Sequence, residues 1–194
     1  MSRPPALIVV DVQNDFCEGG SLAVSGGAQL ATDLAHHLAQ HTGNYSHVVA
    51  TRDYHIDPGA HFSDEPDFVR SWPPHCRAGT AGADFHPNLN TSQIEAVFDK
   101  GQYSDGYSGF EGQTTGEVLL AQWLHDNGVS SVEVVGIATD HCVRATALDA
   151  ARNGLATRVR LDLTAGVATP TVTAAMKQLR AAEIELLGQP RVAN

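Results

Sequence analysis

Two hydrophobic rhythms alternate along this chain. "ALIVVD", residues 6–11, is an unbroken apolar run that ends on a carboxylate. "VEVVGIA", residues 132–138, is almost wholly apolar and β-branched. Runs of this kind read as strands buried on both faces. Between them the period changes. In "GAQLATDLAHHLAQH", residues 27–41, leucines 30, 34 and 38 recur four apart, which predicts a helix. The same reading predicts strands over 47–53, 95–100, 157–163 and 184–188, and helices over 142–153 and 169–183. A further helix is predicted over 114–127, with Val118, Leu119, Trp123 and Leu124 on one face and Gly128 as its stop. Strands alternating with helices predict an α/β fold with a parallel sheet covered on both faces. No repeat or linker interrupts the pattern, so residues 1–194 read as a single domain.

One stretch breaks the rhythm. Residues 54–94 hold His55, His61, His75, His86 and five of the nine prolines, with little periodicity. A loop of this length inside a compact domain is usually functional or a mis-assigned element, and its histidines favour the functional reading.

Composition narrows the classes of function. The net charge of −10 offers no basic face for nucleic acid or anionic membrane. No signal peptide or membrane span is read at the N-terminus. Three cysteines, Cys17, Cys76 and Cys142, without a CxxC pair, argue against a disulfide framework and for the cytoplasm. Lysine occurs only at positions 100 and 177, so a lysine here is a candidate for a specific task.

In open α/β sheets ligands bind outside the carboxyl ends of the strands. Four predicted strands end at, or run into, Asp11, Asp53, Lys100 and Cys142. Cys142 falls near the start of a helix that opens with the cap types Thr139 and Asp140, a setting that lowers a thiol pKa. A carboxylate, an ammonium and a thiol at one sheet edge form a nucleophile with its base and charge balancer. Asp11 would accept the thiol proton, Lys100 would stabilise the negative charge, and Cys142 would attack an electrophilic carbon, with N–H groups of the 138–142 turn as oxyanion hole. His141 is a second candidate base, ranked below Asp11 because neighbours on a helix rarely face each other.

The histidine loop adds a metal expectation. Asp53 and His55 are two apart, so an extended backbone puts them on one side. With His61 and His75 they form a carboxylate and three imidazoles, a set suited to Zn, Fe(II) or Mn(II) and not to Ca or Mg. Cys76 is an alternative ligand beside His75. Phe16, Trp72 and Tyr107 fall in loops near the strand ends, where they could wall a pocket for a flat ring.

"DVQNDF" at 11–16, "DYH" at 53–55, "WPPHC" at 72–76, "FDKG" at 98–101 and "GIATDHCV" at 136–143 together resemble the nicotinamidase/pyrazinamidase family of isochorismatase-like cysteine hydrolases. The motifs occur in family order and reach across nearly the whole chain. The resemblance implies a three-layer α/β/α sandwich with a mainly parallel sheet. It implies hydrolysis of nicotinamide to nicotinate and ammonia in NAD salvage, with pyrazinamide as an accepted analogue. It implies Asp11, Lys100 and Cys142 as the catalytic triad and one divalent transition metal on Asp53, His55, His61 and His75. Ile137 and Ala138 would share a cis peptide, Ala138 and Cys142 would supply the oxyanion hole, and Phe16, Trp72, Tyr107, Ile137 and His141 would contact substrate. The other readings are attack by a metal-bound water, a related amidase for another small amide, and a metal-binding or thiol-sensing module without turnover.

Overall fold

The computed structural model describes residues 3–192. Seven strands form one sheet: β1 (Ala6–Val10), β2 (Val48–Asp53), β3 (Ala96–Lys100), β4 (Ser131–Ile137), β5 (Ala156–Gly166), β6 (Glu185–Leu187) and β7 (Arg191–Val192). The order is β3-β2-β1-β4-β5-β6, every pairing is parallel, and β7 joins the end of β5. The helices are α1 (Gly27–His41), α2 (Leu120–Asp126), α3 (Arg144–Arg152) and α4 (Thr169–Ala181).

The alternation of β1 decides the layering. Leu7 and Val9 pack with Leu30, Leu34 and Leu38 of α1 on one face. Ala6, Ile8 and Val10 pack on the other face with Leu120 and Leu124 of α2, Ala147 and Ala150 of α3, and Leu179 of α4. All five β1 residues are fully buried, as an apolar strand between two helical layers must be. The expected three-layer α/β/α architecture is therefore present. The chain first winds outward from β1 to β3, then returns and places β4 on the other side of β1. The crevice between β1 and β4 is thus a topological switch point, where open sheets of this kind bind ligands.

Several boundaries differ from expectation. β1 ends at Val10, and Asp11 turns into the left-handed region with φ of 50°. The helix expected over 114–127 is confined to Leu120–Asp126. Residues 113–119 instead form a small loop, with Thr114 N–H bonded to Val118 O and Gln113 bridging both Asp99 and Leu119. Val118 and Leu119 are consequently exposed, and Leu120 and Leu124 take the core face. The helix expected from Cys142 opens earlier, as a π-helical turn over Thr139–Val143, before regular α3. Neither Thr139 nor Asp140 caps it. β5 runs three residues beyond its expected end, and β7 was not expected. In β4, Gly136 has φ of 115°, and an added Cβ would lie 2.1 Å from Val10 O; here the register of β4 against β5 shifts. Only glycine allows this approach between the central strands.

One buried charge lies away from the switch point. Glu133 of β4 is fully buried and paired with Arg158 at 2.5 Å and Arg160 at 2.8 Å, and it accepts from the Tyr45 hydroxyl. Burial alone would raise its pKa, but Arg160, Tyr45 and Arg158 outweigh burial and hold it below the usual range. A depressed carboxylate stabilises the fold above its unfolded pKa and loses that contribution as pH falls through the folded value. The thermal midpoint is therefore expected to drop on acidification below about pH 4.5, the ordinary glutamate range. Glu133→Gln should flatten that acid limb of the Tm–pH curve in calorimetry while lowering Tm at pH 7. An unchanged acid limb would remove Glu133 from the account.

Candidate active site

Asp11, Asp53, Lys100 and Cys142 each stand at or just beyond the carboxyl end of a strand, and the sheet brings them together. Lys100 ends β3 and is fully buried, with its ammonium reaching across β2 toward β1 and β4. Its Nζ lies 2.8 Å from Asp11 Oδ2, donates to Asp53 Oδ1, and sits 3.6 Å from Cys142 Sγ. Asp11 Oδ1 accepts from Thr51 Oγ1 at 2.7 Å, while its Oδ2, ion-paired with Lys100, has no aligned hydrogen-bond donor among the described residues. Carboxylate oxygens of Asp11 and Asp53 and the Cys142 sulfur lie within 4.8 Å of one another. Asp11 is aimed there by its left-handed backbone, a conformation that costs a non-glycine residue about 1–3 kcal/mol and clusters at functional sites.

The electrostatics correct one expectation. Burial strongly raises the Cys142 pKa; Lys100 opposes this, and Asp11 and Asp53 add to it. The direction favours the protonated thiol over the thiolate expected from a helix start. Burial also raises Asp11, against the pull of Lys100. A buried acid raised in this way is a better proton acceptor than an exposed one. Lys100 stays charged: desolvation would lower its pKa, but Asp11 and Asp53 push it well above the ordinary value. Asp53 stays ionised, because Lys100, His55 and His75 together overcome its desolvation.

The irregular stretch 54–94 is anchored to the same strand ends. Tyr54 N–H donates to Lys100 O, His55 N–H to Cys76 O, and Trp72 N–H to His61 O. Nitrogens of His55, His61 and His75 cluster within 4.8 Å, with ring centroids 5.1–5.4 Å apart. Asp53 Oδ2 is 3.6 Å from His55 Nε2 and 4.0 Å from His75 Nε2. His55 Nδ1 is fixed by Gly101 O at 2.5 Å and His75 Nδ1 by Pro73 O at 2.8 Å, which turns their Nε2 atoms inward. Buried His55 Nε2 and His61 Nδ1 have no hydrogen-bond partner among the described residues. Burial, with His75 and His55 beside it, pushes His61 down to about 4, so its imidazole is neutral and ready to ligate at pH 7. Unpartnered imidazole nitrogens beside a carboxylate fit a divalent transition metal. Cys76, the alternative ligand, lies apart, with its sulfur 3.9 Å from Gly82 O.

A cleft opens over the thiol and the histidines. Phe16, Trp72, Tyr107, Ala138 and His141 line it, together with Leu22, Ala23, Val24 and Val167, which sequence reasoning missed. Trp72 Nε1 donates to Tyr107 Oη at 2.9 Å, and the Trp72 ring stands edge-on to His141 at 5.2 Å. Ile137 does not line this cleft; its side chain is in the core. The Ile137–Ala138 peptide is cis. Gln13 was also missed. Its buried carboxamide accepts from Asp53 N–H and donates to Asp53 O and Ala83 O, all at 2.8 Å, and so fixes the backbone that carries Asp53.

With this geometry in view, comparison with known proteins is decisive. The Isochorismatase domain family matches residues 5–189. The chain belongs to this family. It is 63% identical over 182 residues to the nicotinamidase/pyrazinamidase of Mycobacterium tuberculosis, covering 94% of this chain and 97% of that protein. A structure of the L. infantum protein in complex with nicotinate superposes with a TM-score of 0.81 at 36% identity, covering 96% of this chain and 94% of that one. The pyrazinamidase of Pyrococcus horikoshii in complex with zinc superposes with a TM-score of 0.80 at 34% identity, covering 95% and 98%.

Gly101 offers a test of how the histidine cluster is shaped. It has φ of 72°, and an added Cβ would lie 2.6 Å from His55 Cε1. Gly101→Ala is expected to displace the His55 ring and reduce bound divalent metal per chain, read by inductively coupled plasma mass spectrometry. The far-UV circular dichroism should remain that of the wild type. Full metal occupancy in the variant would contradict this role for Gly101.

Proposed function

We propose that this chain hydrolyses the carboxamide of nicotinamide to nicotinate and ammonia, accepts pyrazinamide likewise, and uses Cys142 as a covalent nucleophile. The observation that carries the reading is the single Lys100 ammonium in contact with Asp11, Asp53 and Cys142, under a cleft with three metal-competent histidines. The 63% identity to a nicotinamidase/pyrazinamidase supports the substrate. The product feeds NAD salvage. Three free cysteines fit a reducing compartment such as the cytoplasm.

The chemistry follows from the groups present. The substrate ring enters between Phe16, Trp72 and Tyr107. Asp11 takes the Cys142 proton as Sγ forms its bond to the amide carbon. The negative charge that develops on oxygen meets N–H groups of Ala138 and Cys142. Asp11 then returns the proton to the leaving nitrogen, the C–N bond breaks, and ammonia departs, which leaves a thioester on Cys142. Asp11 next accepts a proton from water as its oxygen attacks the thioester. Nicotinate leaves and the thiol is restored. Lys100 stays protonated throughout and balances whichever of Asp11 and Cys142 is charged. Asp53, His55, His61 and His75 would hold a divalent metal, with zinc, iron(II) and manganese(II) all suited to the donor set. When bound, that ion supplies a Lewis acid for the ring nitrogen.

Ammonia release from nicotinamide by wild type and Cys142→Ala, with metal analysis of both samples, tests this reading. We expect loss of about 1,000-fold or more in kcat with metal retained, the size typical of removing a nucleophile that works with its base. A variant that keeps most of its activity would make the thiol a bystander. Wild type that carries metal and releases no ammonia would move the search to other small amides. Asp11→Asn, which keeps the shape and removes the base, is expected to lower kcat about 100-fold or more, with a smaller effect on KM.

A further inference from the structure

The turn that carries the nucleophile is held from the side by a carboxylate that the mechanism above does not use. Asp140 lies between the proposed oxyanion donors Ala138 and Cys142 and is 2% exposed. It does not cap its own helix. Its Oδ1 accepts from Val167 N–H at 3.0 Å, and its Oδ2 accepts from Ala168 N–H at 3.4 Å and from the Thr171 hydroxyl. Val167 and Ala168 lead into α4 and Thr171 lies in its first turn; the helix's own N-cap residue, Ala168, has no side chain for the task. Next to it, Thr139 Oγ1 donates to Thr164 Oγ1 of β5 at 2.9 Å. An added Cβ at Gly166 would lie 3.4 Å from Thr139 Cβ, so the β5–α4 junction sits directly against the turn.

We infer that Asp140 is a positioning residue for the reaction: it caps α4 in trans and thereby fixes the 138–142 backbone that presents the Cys142 sulfur and the oxyanion N–H groups. The inference rests on the cysteine-nucleophile reading. A π-helical turn has fewer regular bonds to hold it than an α-helix, and here a buried two-oxygen clamp to a thirteen-residue helix supplies the missing constraint. The positive end of α4 favours the carboxylate in that place. The same clamp reaches the cleft wall, since Val167 lines it. Misplacement of a reacting group by about 1 Å costs about 100-fold in rate.

The test uses Asp140→Asn, Asp140→Ala and Thr171→Val in metal-loaded enzyme, each assayed for kcat, for KM and for the rate of Cys142 alkylation by iodoacetamide. Thr171→Val removes one donor without touching the turn, and guards against a variant that fails to fold. We expect kcat to fall about tenfold or more in Asp140→Ala and by a few-fold in Thr171→Val, with partial rescue in Asp140→Asn, whose remaining carbonyl still accepts from Val167 N–H. KM should change less than kcat. Alkylation, which needs no oxyanion hole, should stay within about threefold of wild type. Folded Asp140→Ala and Thr171→Val with wild-type kcat and a lowered Tm would overturn the inference and leave Asp140 as a structural cap. Retained activity in Cys142→Ala would overturn the underlying reading instead, so the two failures are distinguishable.

Discussion

A single buried ammonium is the constraint on which this site depends. Lys100 has no exposure, and its nitrogen touches two carboxylates and a thiol. Each buried ion costs several kcal/mol of desolvation, which only close partners repay. Without Lys100, Asp11 and Asp53 would face each other as like charges, and one would take up a proton. With it, both fit into one crevice, and the two carboxylates divide the work. Asp11 is proposed to move protons at Cys142 through Oδ2. Asp53 turns one oxygen to Lys100 and the other to the histidines. The proposed catalytic half and the metal-competent half thus share one charge balance.

The fold supplies the precision that such a cluster demands. Three neighbouring parallel strands, β3, β2 and β1, bring Lys100, Asp53 and Asp11 to one edge, and β4 brings the turn of Cys142. A parallel sheet buried on both faces is a rigid platform, so the ammonium's distances are set by strand registry and not by flexible loops. Around it, Gln13 holds the Asp53 backbone, Gly101 leaves room for His55, and Asp140 ties the nucleophile turn to α4. These supports make no contact with the thiol, yet they determine where the groups that do are held.

Much of this was legible in the chain. Apolar runs that end in Asp11, Asp53 and Lys100, together with the switch-point rule, were enough to gather the reactive groups. The Asp53–His55 spacing was enough to point to a metal. What escaped depends on distance in sequence. Asp53 is read as a metal ligand alone, because nothing local reveals that Lys100, its register partner on β3, donates to it. Gln13 and Asp140 act through partners 40 and 27 residues away. The wall residues Leu22, Ala23, Val24 and Val167 lie in segments without periodicity. The helix expected over 114–127 was too long because Gly116 and the left-handed Glu117 make a turn that apolar spacing did not register. The thiolate expectation failed for a further reason. A helix start favours the anion, but burial beside two carboxylates pushes the thiol pKa up even against Lys100.

In the proposed mechanism this charge cluster makes Cys142 a covalent catalyst. Rapid acid quench of the metal-loaded enzyme with nicotinamide, within the first turnover, followed by digestion and mass spectrometry of the Cys142 peptide, tests it most directly. This peptide is expected to gain transiently one nicotinoyl group, which neither Cys17 nor Cys76 acquires. Nicotinate and ammonia formed in that same turnover, with the Cys142 peptide unmodified at every time point, would contradict it.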